Sequence, residues 1–256
     1  MINFRTAAIL LSAVALASCD KNAAQVIDAP ASGSYIRFFN FGMSSPGVNF
    51  YADGTKVTAI AFTTTDTLES TSGTNYGGVA NGGLYSALTP GAHTFTARIT
   101  ANTDKGLVVA TQPATIEDGK HYSLYTAGFY NTTAKTIESF VVEDPIPETI
   151  DFSQAMVRFV NASPNSAPVT LYAKDQVTGV ETAIGGSVAY KSAGTFTGLP
   201  QSIYDLTART ATTTVFTRLG VGFNAGRMYT ITARGDVTVT STTATNRPFL
   251  DNTANR

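Results

Sequence analysis

Between Gly91 and Thr100 the side chains alternate in character. His93, Phe95, Ala97 and Ile99 fall on one side of an extended chain, and Thr94, Thr96, Arg98 and Thr100 fall on the other. A period of two is what a strand with one buried and one wet face requires. Tyr204, Leu206 and Ala208 against Asp205, Thr207 and Arg209 repeat the pattern, as do Tyr229 and Ile231 against Thr230 and Thr232. Asp53-Gly54 and Asp118-Gly119 supply turns, the first ahead of a strand from Lys56 to about Phe62.

Aligned with itself, the chain contains two copies of one unit. Tyr35-Ile36-Arg37-Phe38-Phe39-Asn40 lies over Met156-Val157-Arg158-Phe159-Val160-Asn161 at an offset of 121, and Val48 to Ala52 lies over Val169 to Ala173 without a gap. Leu88 and His93 to Arg98 match Leu199 and Tyr204 to Arg209 at an offset of 111, and Gly119 to Leu124 match Gly226 to Ile231 at 107. The falling offset means that the first copy carries extra residues in two places: the Thr/Gly-rich stretch from Thr63 to Gly83 and the turn near Asn102 to Gly106. Loops absorb such length changes cheaply. The matched blocks are expected to be strands, roughly seven per copy.

Composition agrees with that reading. The 256 residues include 40 Thr, 22 Gly and 26 Phe plus Tyr, with no Trp, which suits short strands and turns. Only 14% are charged and the formal net charge is −1, which excludes an electrostatic nucleic-acid binder. The expected fold class is all-β: two tandem immunoglobulin-like or transthyretin-like antiparallel β-sandwich domains, over 34–144 and 153–241. A proline-containing linker over 145–152 joins them, and a polar tail over 242–256 follows, onto which Phe249 and Leu250 can pack.

The amino terminus has the layout of a signal peptide, residues 1–18: Arg5, then an apolar run from Ala7 to Ala17, too short to span a bilayer. Leu16-Ala17-Ser18-Cys19 resembles the lipobox of bacterial lipoproteins. The resemblance implies cleavage between Ser18 and Cys19 and lipid attachment at Cys19, with 19–33 as a flexible tether. Two or three acyl chains anchor a protein stably. The expected location is the cell envelope, with the outer membrane favoured over the inner, facing the periplasm or the cell surface. Cys19 is the only cysteine, so no disulfide within the chain and no cysteine metal cluster can form.

The run from Val157 to Tyr172 resembles the opening of the bacterial family known as domain of unknown function 4397, and Gly226 to Thr230 is similar to its closing strand. The first copy departs from the family with Phe41-Gly42-Met43, and Asn40 and Asn161 stand where the family usually has histidine. The resemblance implies a sandwich fold in secreted or envelope proteins and carries no activity.

The two histidines, His93 and His121, face Tyr204 and Met228 in the second copy, so no histidine site is shared. The acidic residues Asp66, Glu69, Asp104, Glu117, Asp118, Glu138, Glu143 and Asp144 lack calcium-loop spacing. Gly220 to Gly226 comes within a residue of a dinucleotide fingerprint but precedes a strand rather than a helix, and reads as a hairpin turn. Neither Gly-x-Ser-x-Gly nor a phosphate loop occurs. No catalytic residue, metal site or cofactor is therefore assigned, and the chain is not expected to be an enzyme. Arg37 and Arg158, at one repeat position in apolar strand sequence, are expected to be structural, each with a carboxylate or carbonyl partner. The Thr63–Gly83 loop, with Asn75 and Tyr76, is the best candidate binding element. The expected function is a non-catalytic, lipid-anchored envelope protein with a structural or protein-interaction role. The alternatives are a glycan-binding or adhesion module and a hydrolase with an unrecognised carboxylate site. Expected partners are the membrane and an envelope protein or glycan.

Overall fold

A computed structural model describes residues 32–60 and 69–255. The signal peptide, Ser18, Cys19, nearly all of the tether, and residues 61–68 with Asp66 lie outside the described residues. The first repeat forms β1 (Ser34–Asn40), β2 (Val48–Ala52), β3 (Thr55–Lys56), β4 (Gly78–Val79), β5 (Ser86–Leu88), β6 (Gly91–Ile99), β7 (Val108–Ile116), β8 (His121–Asn131) and β9 (Thr136–Asp144). The second forms β10 (Ala155–Asn161), β11 (Val169–Asp175), β12 (Glu181–Val188), β13 (Ser192–Ala193), β14 (Thr197–Leu199), β15 (Ser202–Arg209), β16 (Thr214–Phe223), β17 (Met228–Arg234) and β18 (Phe249–Ala254).

The all-β sandwich class is borne out, and both copies follow one plan. In each, an outer sheet (β3-β2-β6-β7 and β12-β11-β15-β16) packs on an inner sheet (β4-β1-β8-β9 and β13-β10-β17-β18), with β5 and β14 pairing on β1 and β10. The apolar sides meet between the layers: Phe38, Phe50, Phe95 and Leu124 in the first sandwich, and Phe159, Leu171, Leu206 and Ile231 in the second. Two details depart from expectation. Each copy has nine strands among the described residues rather than seven, partly because the edge strand beside β1 is broken into β4 and β5. The pairing is also not wholly antiparallel, since β1 runs parallel to β8 and β10 parallel to β17.

The expected polar tail is corrected most clearly. Residues 249–254 are not a tail but β18, which pairs along β17 from Tyr229↔Ala254 to Arg234↔Phe249. It occupies the place that β9 holds beside β8 in the first copy. Leu250 points into the second core and is fully buried, while Asp251 turns to the opposite face and pairs with Arg234 at 2.5 Å. The long polar connection from Gly235 to Pro248 hides this strand from a reading of periodicity, because in the first copy the same connection is a short hairpin.

The backs of the two inner sheets pack against each other. Both faces of β1 and β10 are therefore covered, which explains their near-continuous apolar sequence. Phe39, Phe41, Tyr125, Ala127 and Phe140 meet Val160 and Ala162 there, with Phe39 and Phe140 stacked on Tyr125 at 4.5 and 5.0 Å. Arg37 and Arg158 project into this layer and are 0% and 1% exposed. Their surroundings are related by the repeat. Arg37 Nε donates to Ser123 Oγ and Arg158 Nε to Thr230 Oγ1, both at 3.0 Å. Arg37 Nη1 donates to the Ala254 carbonyl at 2.9 Å, and Arg158 Nη1 to that of Glu143 at 2.7 Å. Ser123 Oγ donates to Asp144 Oδ2 at 2.6 Å, and Thr230 Oγ1 to Asn255 Oδ1 at 2.7 Å. Each arginine thus bonds to a strand of the other sandwich, and carbonyl and carboxylate partners offset the desolvation of both guanidinium groups.

Candidate functional site

The two segments found only in the first repeat meet at one place. A cavity of about 100 Å³ on the outer sheet of the first sandwich is bounded by Glu69, Ser70 and Thr71 from the long loop and by Lys105 and Gly106 from the β6–β7 turn. Asn49, Tyr51, Lys56, Ile99 and Thr100 complete its wall. Strand alternation places Asn49 and Tyr51 together on the outer face of β2, opposite the core residues Val48, Phe50 and Ala52, with Asn49 covered by the loop to 1% exposure.

Glu69 organises the wall. Its carboxylate accepts from Asn49 Nδ2 and, at 2.5 Å, from Lys56 Nζ. The bond to Glu69 raises the Lys56 ammonium above the ordinary lysine range. Thr100 Oγ1 reaches the carbonyls of Gly47 at 3.1 Å and Thr71 at 2.9 Å, tying the loop to the end of β6. The turn that carries Lys105 is held by Leu107 N donating to Asp104 O at 2.9 Å and by an Asp104–Lys135 ion pair. Asn49 Oδ1 is buried and meets no donor among the described residues. The counterparts in the second sandwich differ. Thr170 stands for Asn49, no lysine turn exists, and Arg209 lies over the Tyr172 ring at 3.7 Å while paired with Glu181.

The residues picked out in the long loop are placed apart from the cavity's centre. Thr74 N and O bond to Val48, and Gly77 N donates to the Asn40 carbonyl at 2.7 Å, so this part is pinned over β1 and β2. Asn75 is exposed, but Tyr76 is turned toward the second sandwich, with the Arg234 guanidinium 4.9 Å from its ring centre. Burial pushes the Tyr76 phenol up. Asn40 and Asn161 are buried organisers of the connections after β1 and β10. Asn40 Nδ2 donates to Thr74 O at 2.8 Å, and Asn161 Nδ2 to Ser166 Oγ at 2.8 Å.

The histidines are embedded in the framework. His93 Nδ1 faces Asp53 Oδ2 at 2.6 Å, and Nε2 faces the Thr89 carbonyl at 2.8 Å. Tyr204 makes the matching clamp in the second copy, donating to the Pro200 carbonyl at 2.7 Å. The Thr94 amide first, and then His93, hold the Asp53 carboxyl below the usual carboxylate range. His121 stacks on Tyr35 at 4.6 Å and meets the edge of Tyr85 at 4.9 Å. Glu117 and Asp118 lie in the turn after β7, Glu138 and Glu143 lie in β9 with Glu138 paired to Lys191, and Asp144 lies in the arginine layer. Among the described residues no group of three or more His, Cys, Asp or Glu is arranged to hold a metal ion. Gly220 and Gly222 lie within β16, and the chain turns at Gly226 into β17, a strand. Asn49, Lys56 and Lys105 escaped sequence reasoning because they look like ordinary wet-face or turn residues. The signal that could have found them was the pair of insertions.

Comparison with known proteins adds the following. The family described as domain of unknown function (DUF4397) matches residues 34–172 and 155–256. No curated protein matches the chain. Among solved structures, the Bacillus anthracis TIE protein is similar at 12% identity and a TM-score of 0.24, covering 78% of this chain and 33% of its own. This chain therefore spans about a third of that protein's length. A candidate cell adhesion protein from Bacteroides ovatus is similar at 11% identity and a TM-score of 0.23, covering 90% of this chain and 97% of its own.

Proposed function

This chain belongs to the domain of unknown function 4397 family, and on that premise we propose that it is a non-catalytic, lipid-anchored protein of the bacterial cell envelope. Its paired sandwiches serve as one stiff body for interaction with an envelope component. In this reading Cys19 carries the lipid, 19–33 is the tether from which the sandwiches stand off the membrane, and the outer membrane is favoured over the inner.

The observation that carries the reading is the buried layer between the inner sheets. A binding module on a flexible string needs no such layer, whereas a spacer or scaffold must transmit position from one end to the other. Arg158 reaches Asp144 and Glu143 across the boundary, and Arg37 reaches Ala254 in the opposite direction. The histidines support the non-catalytic part of the reading, because their ring contacts serve strand and turn geometry.

The test is metabolic labelling with a palmitate analogue in a bacterial host, followed by protease treatment of intact and lysed cells. The wild-type chain is expected to take up label and fractionate with membranes, and Cys19→Ala to do neither. Label retained on Cys19→Ala, or absent from the wild type, would overturn the proposal. Cleavage on intact cells would assign the sandwiches to the cell surface, and protection until lysis would assign them to the periplasm.

A further inference from the structure

We propose that the cavity of the first sandwich binds a single carboxylate-bearing sugar residue, a uronic acid, either free or at the end of a glycan chain. Charge is the first argument. Its wall holds two lysines and one carboxylate, and that carboxylate, Glu69, is already engaged by Lys56. Lys105 is exposed at the rim, so the site carries an excess positive charge that favours a carboxylate.

The second argument is a missing donor. Asn49 is 1% exposed, donates one amide N–H to Glu69, and leaves Oδ1 without a partner among the described residues. A buried acceptor of this kind is costly to leave unmade. Asn49 lines the cavity, and a ligand hydroxyl there supplies the donor.

Size and walls give the third. A volume of about 100 Å³ at ~10–15 Å³ per water position offers about seven to ten positions, enough for the ring and carboxyl group of one uronic acid with its remaining hydroxyls toward solvent. Tyr51 and Ile99 provide apolar wall, and Ser70, Thr71 and Thr100 provide hydroxyls. The second sandwich has the same strands but Thr170 for Asn49 and no counterpart of Lys105, so the site belongs to the first repeat alone.

The experiment is calorimetric titration of the full chain with glucuronic acid, with a glucuronic-acid-terminated oligosaccharide, and with glucose. At least one uronate probe is expected to bind saturably at one site per chain, with glucose at least about tenfold weaker, since a hydrogen bond to a charged group is worth at least that ratio. Binding of the free acid would identify the monosaccharide as sufficient, and binding of the oligosaccharide alone would identify a chain terminus as the ligand. Lys105→Ala removes an exposed side chain, and Asn49→Thr installs the residue that the second sandwich already folds with. Each is expected to weaken uronate binding by about tenfold with an unchanged circular dichroism spectrum. No binding of either uronate probe, equal binding of glucose, or variants that bind like the wild type would overturn the assignment.

Discussion

Asp144 at the end of β9 accepts a hydrogen bond from Arg158 Nη2 of β10, and the two side chains, 0% and 1% exposed, join one sandwich to the other. Arg37 approaches the same carboxylate at 3.6 Å, and the Tyr85 hydroxyl donates to it at 2.6 Å. Burial and the Asp144 charge push the Tyr85 phenol well above its ordinary range, so it stays a donor. Asn255 holds the place in the second repeat that Asp144 holds in the first, so one carboxylate serves two buried arginines.

Asp144→Asn leaves both guanidinium groups buried without an anion. A loss of about 3–5 kcal/mol is expected, as for other broken buried pairs. Urea unfolding measures it, and fluorescence and circular dichroism should report a single shared transition, because the layer belongs to both sandwiches.

Arg37→Met is expected to cost less than Arg158→Met in the same urea assay. Arg158 bonds directly to the carboxylate as well as to the Glu143 carbonyl, whereas Arg37 Nη2 already lacks a partner among the described residues. A larger loss for Arg37→Met would mean that the energy of the layer is shared differently from its geometry.

Leu250→Ala distinguishes a strand from a tail. A fully buried leucine in β18 predicts a loss of about 2–5 kcal/mol, readable as a lower denaturation midpoint. A loose tail would lose nothing.

Gly77→Ala is expected to destabilise more than Gly54→Ala. Both glycines have left-handed φ, +79° and +83°, a conformation that costs a residue with a Cβ about 1–2 kcal/mol. At Gly54 the new Cβ meets nothing within 4 Å, whereas at Gly77 it comes within 3.0 Å of the Arg234 guanidinium, which is held by Asp251 and the Tyr76 ring. The difference in thermal midpoint isolates this contact between the sandwiches.

Asp175→Asn is expected to be less stable than the wild type at neutral pH and to converge with it in acid. The Val177 amide first, then that of Thr178, holds the Asp175 carboxyl below the usual range. A folded-state value below the unfolded one gives stability that is complete above the unfolded pKa and lost as pH falls through the folded one. Asp251 has the opposite sign: burial raises its carboxyl, so its contribution is present below the unfolded value and lost as pH rises through the folded one. Unfolding midpoints from pH 2 to pH 7 for the two single Asn variants separate these slopes.

Alternation in β6, β15 and β17 and the gapless match of β1–β2 to β10–β11 make the strands, the doubling of the unit and the sandwich class readable in the sequence. Arg37 and Arg158 could be assigned structural roles because a charge inside an apolar strand demands a partner. These features are local: a strand's two faces are written in residues a few positions apart. The falling offsets also marked the two insertions, though not that Lys105 and Glu69 would close on one cavity.

Only the tertiary structure decided what lies far apart in the chain. That Phe249–Ala254 is a strand depends on the bare edge of β17, and its own sequence spends one face on Leu250 and the other on an ion pair with Arg234, which erases simple alternation. That β1 and β10 are buried on both sides depends on the packing of the inner sheets. The partner of Arg158, Asp144, sits in the neighbouring repeat because the buried charge is satisfied between sandwiches rather than within one. The sequence alone determined the periodicity of each strand and the equivalence of the repeats, since both are set by side chains along one stretch of backbone. Partnership across layers is set by which surfaces are left uncovered once the strands have formed, and that is a property of the assembled sheets.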